Sequence, residues 1–107
     1  MSYIQTILSE GGSGNFVIFS DPISEKFIQF VAEKWDCLVL IDIPKVMLSI
    51  DETKRLKDLF GALFESIEHS YQAEVTPQQG VKCAEKIFRD VFYLPDSYSI
   101  EAKLNLE

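Results

Sequence analysis

Reactive side chains are scarce in this chain. Its 107 residues include one histidine, His69, and two cysteines, Cys37 and Cys83. A structural zinc site takes four ligands, mostly cysteine and histidine, and these three residues have no metal-ligand spacing. No metal or cofactor is therefore expected. Nucleophilic catalysis needs a serine or cysteine with a base within reach. His69 stands in a polar stretch at the expected end of a helix, where the helix dipole accounts for it, so no catalytic residue is assigned. Long apolar runs are missing as well. None approaches the ~20 residues of a membrane span, and the N-terminus lacks the basic start and apolar middle of a signal peptide. A cytoplasmic location is expected, where both thiols stay reduced. Basic residues are in deficit, with 10 Lys and Arg against 17 Asp and Glu and a net charge of −7. Phosphate backbones and anionic membranes would be repelled, which argues against nucleic-acid and membrane partners. A basic or partly apolar protein suits the charge better.

Apolar residues are plentiful, at 47% with 25% charged, the balance of a globular chain rather than a disordered one. At this length one domain, residues 1–107, and one core are expected. The stretch from Lys26 to Pro44 organises the rest. Lys26 to Glu33 and Cys37 to Ile43 read as two strands joined at Lys34-Trp35-Asp36. The first is rich in β-branched and aromatic residues, with Ile28, Phe30 and Ala32 on one face. The second opens with an unbroken apolar run, Cys37 to Ile41, the pattern of a strand buried on both faces, which Asp42 interrupts. Asn15 to Ser20 gives a third strand, followed by a turn at Asp21-Pro22. Val46-Met47-Leu48 is a candidate extension of the sheet. Residues 2 to 9 show helical spacing and predict a short N-terminal helix. Gly11-Gly12-Ser13-Gly14 matches neither phosphate-loop pattern and precedes a strand, so it reads as a flexible link.

Two capping boxes start two amphipathic helices. Ser49-Ile50-Asp51-Glu52 opens one, predicted over Ile50 to about Glu68 with Leu56, Leu59, Phe60, Leu63 and Ile67 inward. Thr76-Pro77-Gln78-Gln79 opens the other, ending near Tyr93. His69 to Val75 reads as a short connection with room for a turn and a few extended residues. From Tyr98 the tail alternates, with Tyr98, Ile100, Ala102, Leu104 and Leu106 on one face, which predicts a strand although Glu-Ala-Lys-Leu also suits a helix. The expected fold is α+β: a small antiparallel sheet of three or more strands packed by two long helices. Aromatic rings in connecting segments suit interfaces, so Trp35, Tyr71 and Tyr98, with Ile100, Leu104 and Leu106 of the tail, are candidate protein-binding residues. Asp42 follows a buried run and is either desolvated or faces out to cap a turn.

The string from Lys26 to Glu65, Lys-Phe-Ile-Gln-Phe-Val, an apolar strand and Leu-Ser-Ile-Asp-Glu before a leucine-rich helix, resembles the TY-Chap family of type III secretion chaperone-like proteins. The segment Ala84 to Phe92, with its Arg-x-Val-Phe element, is similar to that family's closing helix. The resemblance implies a secretion-chaperone-like α+β fold and a small, acidic, commonly dimeric protein that binds segments of other proteins without turning anything over. Two function classes follow. The first is a non-enzymatic protein-binding module, homodimeric through its tail or open sheet face, with an antitoxin or immunity protein as a variant. The second is a small-molecule-binding or hydrolytic domain with a site between sheet and helices, using Asp42 with Cys37 or His69.

Overall fold

The computed structural model describes residues 16–32, 38–94 and 100–105. Strand β1 (Phe16–Ser20), β2 (Phe27–Ala32) and β3 (Val39–Pro44) form an antiparallel meander. Val17, Phe19, Ile28, Phe30, Ala32, Val39, Ile41 and Ile43 are buried, and every alternate neighbour on these strands is only half-buried. The register sets Val17 opposite Phe30 and Phe30 opposite Ile41. A one-residue slip would turn all of these side chains outward, so burial on one face fixes the pairing. β3 alternates too. Leu40 and Asp42 lie on the half-exposed face, so β3 is buried on one face where the sequence predicts two.

Past Pro44 the chain makes a 3-10 turn at Lys45–Met47, then helix α1 (Ile50–Phe60), a second 3-10 turn at Gly61–Leu63, and the hairpin of β4 (Glu65–Ser66) and β5 (Ser70–Val75). Helix α2 (Pro77–Lys86) continues into a π-helical turn at Ile87–Val91, and β6 (Glu101–Asn105) completes a six-stranded sheet of order β4-β5-β3-β2-β1-β6. Each neighbouring pair is antiparallel, so the segment containing α2 crosses the sheet between two strands that point the same way. Leu56 of α1 and Cys83, Ala84, Ile87, Phe88, Val91 and Phe92 join the buried face of the sheet in one core. Both capping boxes are formed, with Ser49 accepting from the Glu52 N–H and Thr76 from the Gln79 N–H.

The architecture is the α+β arrangement expected of the sequence, and the tail is a strand. Three local expectations are corrected and one is sharpened. α1 stops at Phe60 rather than near Glu68, because Gly61 adopts φ 57° and ψ −127°, a region open in practice only to glycine. Leu63 and Ile67, expected inward, are therefore exposed. Val46 lies in a 3-10 turn at 95% exposure and adds nothing to the sheet. The link over His69 to Val75, expected to hold a turn and a few extended residues, is extended over six of them as β5, whose Tyr71, Ala73 and Val75 are buried and which pairs with β3. The N-terminal helix expected over residues 2 to 9 lies outside the described residues.

Two glycine substitutions should act in opposite directions. A Cβ on Gly61 meets nothing within 4 Å, so Gly61→Ala carries only backbone strain and should lower unfolding free energy by about 1–3 kcal/mol. Gly80, inside α2, would place a Cβ at 3.5–3.6 Å from Phe30, Val39 and Val75, which is ordinary contact. Gly80→Ala should raise stability by about 1 kcal/mol through helix propensity. Urea unfolding of the two variants reads both signs, and a loss at both positions would contradict the packing described.

Candidate functional site

One lysine gathers three segments at the end of the sheet where β2 begins and β3 stops. The β1–β2 turn is closed by the Asp21 N–H donating to the Lys26 carbonyl at 2.9 Å and the Glu25 N–H to the Asp21 carbonyl at 2.8 Å. Glu25 takes a left-handed φ of 64°. The Asp21 carboxylate accepts from the Ser24 N–H at 2.9 Å, and its contacts with Ser24 hold it below the ordinary aspartate range. From this turn the Lys26 ammonium reaches inward. It donates to the Met47 carbonyl at 2.5 Å and to Glu52 Oε1 at 2.8 Å, and the Phe92 ring lies 5.9 Å away. The Phe27 N–H points to the Met47 sulfur at 3.1 Å. Glu52 also accepts from the Ser49 N–H at 2.9 Å, so a single carboxylate closes the cap of α1 and receives the lysine. Its side chain is 8% exposed. Burial pushes the Glu52 carboxyl up, but the Lys26 and Ser49 donors outweigh that and hold it below the ordinary value of 4.5.

Three branched aliphatic side chains project from the segments so joined. Ile23 in the turn is 92% exposed, Val46 95% and Ile50 89%. Scattered exposed aliphatics are normal on a protein surface. These differ in lying close in sequence to residues that Lys26 ties together: three residues from Lys26, next to Met47, and two from Glu52. Glu25 and Asp51 are exposed in the same segments. Several weak anchors held on one hydrogen-bonded frame lose little freedom when a partner docks.

A second feature lies where α1 meets the π-helical turn. The wide turn has the Phe92 N–H donating to the Ile87 carbonyl and the Leu94 N–H to the Phe88 carbonyl, and it ends in Tyr93 at φ 57°. Arg55 supplies donors to this helix end, its Nε and Nη2 reaching the Val91 carbonyl at 3.0 and 2.7 Å. Its guanidinium stacks 3.8 Å from the Tyr93 ring centroid. A cleft of about 330 Å³ is lined by Arg55, Asp58, Leu59, Asp90 and Tyr93. Arg55 already serves as a helix cap there, so the cleft reads first as the seam between two helices.

The residues marked in the sequence are dispersed. Tyr71 is a buried residue of β5 rather than a loop aromatic, with Lys45 Nζ 5.1 Å from its ring centre, and presents little surface to a partner. Ile100 is half-buried and packs against the chain's own core. Leu104 lies on β6, opposite Val17 in the register. Trp35, Tyr98 and Leu106 lie outside the described residues, as does Cys37. Asp42 sits on the open face of β3 and accepts from Gln72 Nε2 at 3.0 Å. His69, expected at a helix end, is in the exposed β4–β5 turn. Cys83 is buried, which pushes its thiol up and away from reactivity. Neither Asp42 nor His69 lines the Arg55 cleft. Among the described residues no group of three or more histidine, cysteine or acidic side chains is placed to hold a metal ion, and no helix is long and apolar enough to cross a membrane. Ile23, Val46, Ile50 and Lys26 carry no functional signal of their own in the sequence. The Asp-Pro turn and the Ser49 cap are local signals there, but what joins them is a pair of contacts spanning 21 and 26 residues.

The fold and this site define an acidic α+β domain with three exposed aliphatic side chains on segments joined by Lys26. No protein-family model, curated protein or solved structure matches the chain at a significant level.

Replacing Lys26 by methionine should lower stability at neutral pH by about 1.5–3 kcal/mol, the range for a hydrogen bond to a charged group. The pH dependence gives a sharper reading. A carboxyl held below its unfolded value stabilises the fold fully above that value, and the contribution is lost as pH falls through the folded one. Without Lys26 the Glu52 carboxyl rises from its lowered value, so the variant has less of this contribution to lose in acid. The gap in unfolding free energy between the parent and Lys26→Met should therefore be widest near neutral pH and narrow as pH falls through the folded Glu52 value. Curves that differ by the same free energy at every pH would contradict the assignment. Asp21 titrates alike in both proteins.

Proposed function

We propose that this protein is a non-enzymatic protein-binding module that captures a segment of another protein on the sheet end formed by Ile23, Val46 and Ile50. The observation that carries the reading is the exposure of all three, 92%, 95% and 89%, on segments joined by Lys26. The partner implied carries apolar side chains to cover them and basic residues beside them, complementing the exposed Glu25 and Asp51 and the net charge of −7. Charge of opposite sign around an apolar contact speeds encounter and disfavours wrong partners. The resemblance of Lys26 to Glu65 and of Ala84 to Phe92 to secretion chaperone-like proteins supports the same class. An antitoxin or immunity protein facing a basic toxin is the variant with the same surface chemistry. The hydrolytic alternative draws less support, since Asp42 is hydrogen-bonded to Gln72 on the open face and neither it nor His69 lines the described cleft.

The test is a binding screen against a library of short basic-apolar peptides, with hits measured by calorimetry on the purified chain. Peptides that combine apolar residues with lysine or arginine should bind, and the triple variant Ile23→Ser, Val46→Ser, Ile50→Ser should weaken them at least about tenfold, hot-spot residues carrying most of an interface's energy. These side chains are almost fully exposed, so the variant should unfold within about 0.5 kcal/mol of the parent. Hits that bind the parent and the triple variant equally would place the site elsewhere and sink the proposal.

A further inference from the structure

The two edges of the sheet differ. β4 spans two residues, and so short an edge offers almost nothing to pair with. β6 is a five-residue strand with β1 on one side and no neighbour among the described residues on the other. Proteins commonly guard such an edge with charged side chains, lysine above all, a guard that works by repulsion only where like charges meet. Here Glu101, Ala102 and Lys103 are all exposed, and the two charges have opposite signs on one face of the strand. Neither has a charged partner across the ladder, since β1 sets Ser20 opposite Glu101 and Ile18 opposite Lys103. Neither forms an ion pair among the described residues.

From this edge we infer that β6 pairs antiparallel with β6 of a second copy, about a two-fold axis through Ala102. Such an axis stands perpendicular to the sheet and preserves its faces, so only registers in which a residue opposes itself are allowed. Centring on Lys103 sets lysine against lysine, and centring on Glu101 sets glutamate against glutamate; like charges directly opposite one another are destabilising. Centring on Ala102 sets Glu101 against Lys103 of the second copy and Lys103 against its Glu101, giving two equivalent opposite-charge pairs. The small Ala102 side chain lies on the axis. Although Ala102 is opposite the buried Phe19, it is itself exposed, so the helical layer leaves room beside β6. The pairing joins two six-stranded sheets into one. The inference uses a different surface from the sheet-end platform and does not rest on the proposed function.

Sedimentation velocity of the full chain across micromolar concentrations tests it, with Glu101→Lys, Lys103→Glu and the double swap. The parent should show a reversible species at twice the 12.2 kDa chain mass. Each single reversal should raise the dimer dissociation constant about tenfold or more, because both symmetric pairs become repulsive. The double swap should restore it. The two reversals move net charge in opposite directions, so weakening by both cannot come from overall repulsion. Far-ultraviolet circular dichroism checks that each variant is folded, both side chains being exposed. A monomer at several hundred micromolar, a dimer indifferent to either reversal, or single losses that the swap does not rescue would each overturn the register. None of these results bears on peptide capture at Ile23, Val46 and Ile50.

Discussion

Lys26 ties the β1–β2 turn to the start of α1 through the Met47 carbonyl and Glu52, at 2.5 and 2.8 Å. A sheet buried on one face needs a helix laid across it, and the helix needs its first N–H groups satisfied. Glu52 answers the second need from within the capping box. Buried to 8% exposure, a carboxylate there would be costly unless paired, and Lys26 is the cation that pairs it. One contact thereby fixes where α1 begins, how the turn before β2 is seated and where Val46 and Ile50 emerge. The rest of the fold is consistent with this frame. The apolar faces of β1, β2, β3 and β5 meet in register under Leu56 and the α2 segment.

The far end of the helical layer is held differently. The π-helical turn presents Ile87, Phe88, Val91 and Phe92 to the core but leaves the Val91 carbonyl to Arg55. Tyr93 takes a left-handed conformation that glycine adopts more readily, and its ring carries the guanidinium. Thus α1 is anchored by a carboxylate at its start and supplies a cation from its second turn to the end of its neighbour. The helices are locked to the sheet and to each other by charge-assisted contacts placed at helix ends, where backbone groups lack intrahelical partners.

What could be read from the chain alone was whatever is written locally. The three meander strands, both capping boxes and the tail strand all follow from spacing within a few residues. The helical stripe through Leu56, Leu59 and Phe60 continued on paper into Leu63 and Ile67, because periodicity does not register that Gly61 turns the backbone at φ 57°. β5 was legible in principle: Tyr71, Ala73 and Val75 alternate with Gln72 and Glu74. Alanine, glutamine and glutamate are weak strand formers, however, and pairing with β3 decides their state. Of the site, the acidic balance was plain from composition. Ile23 and Val46 looked like ordinary turn and strand residues, and the Lys26 contacts, spanning 21 and 26 residues, leave no local trace.

A frame built on Lys26 should hold Ile23, Val46 and Ile50 still before any partner arrives. Backbone ¹⁵N relaxation on the free chain measures it directly. Order parameters at the three positions should be on the order of 0.8, close to those of the strands. Values below about 0.6 at all three, with β2 and β3 rigid, would mean that the sheet end is a mobile loop cluster and that Lys26 does not organise it.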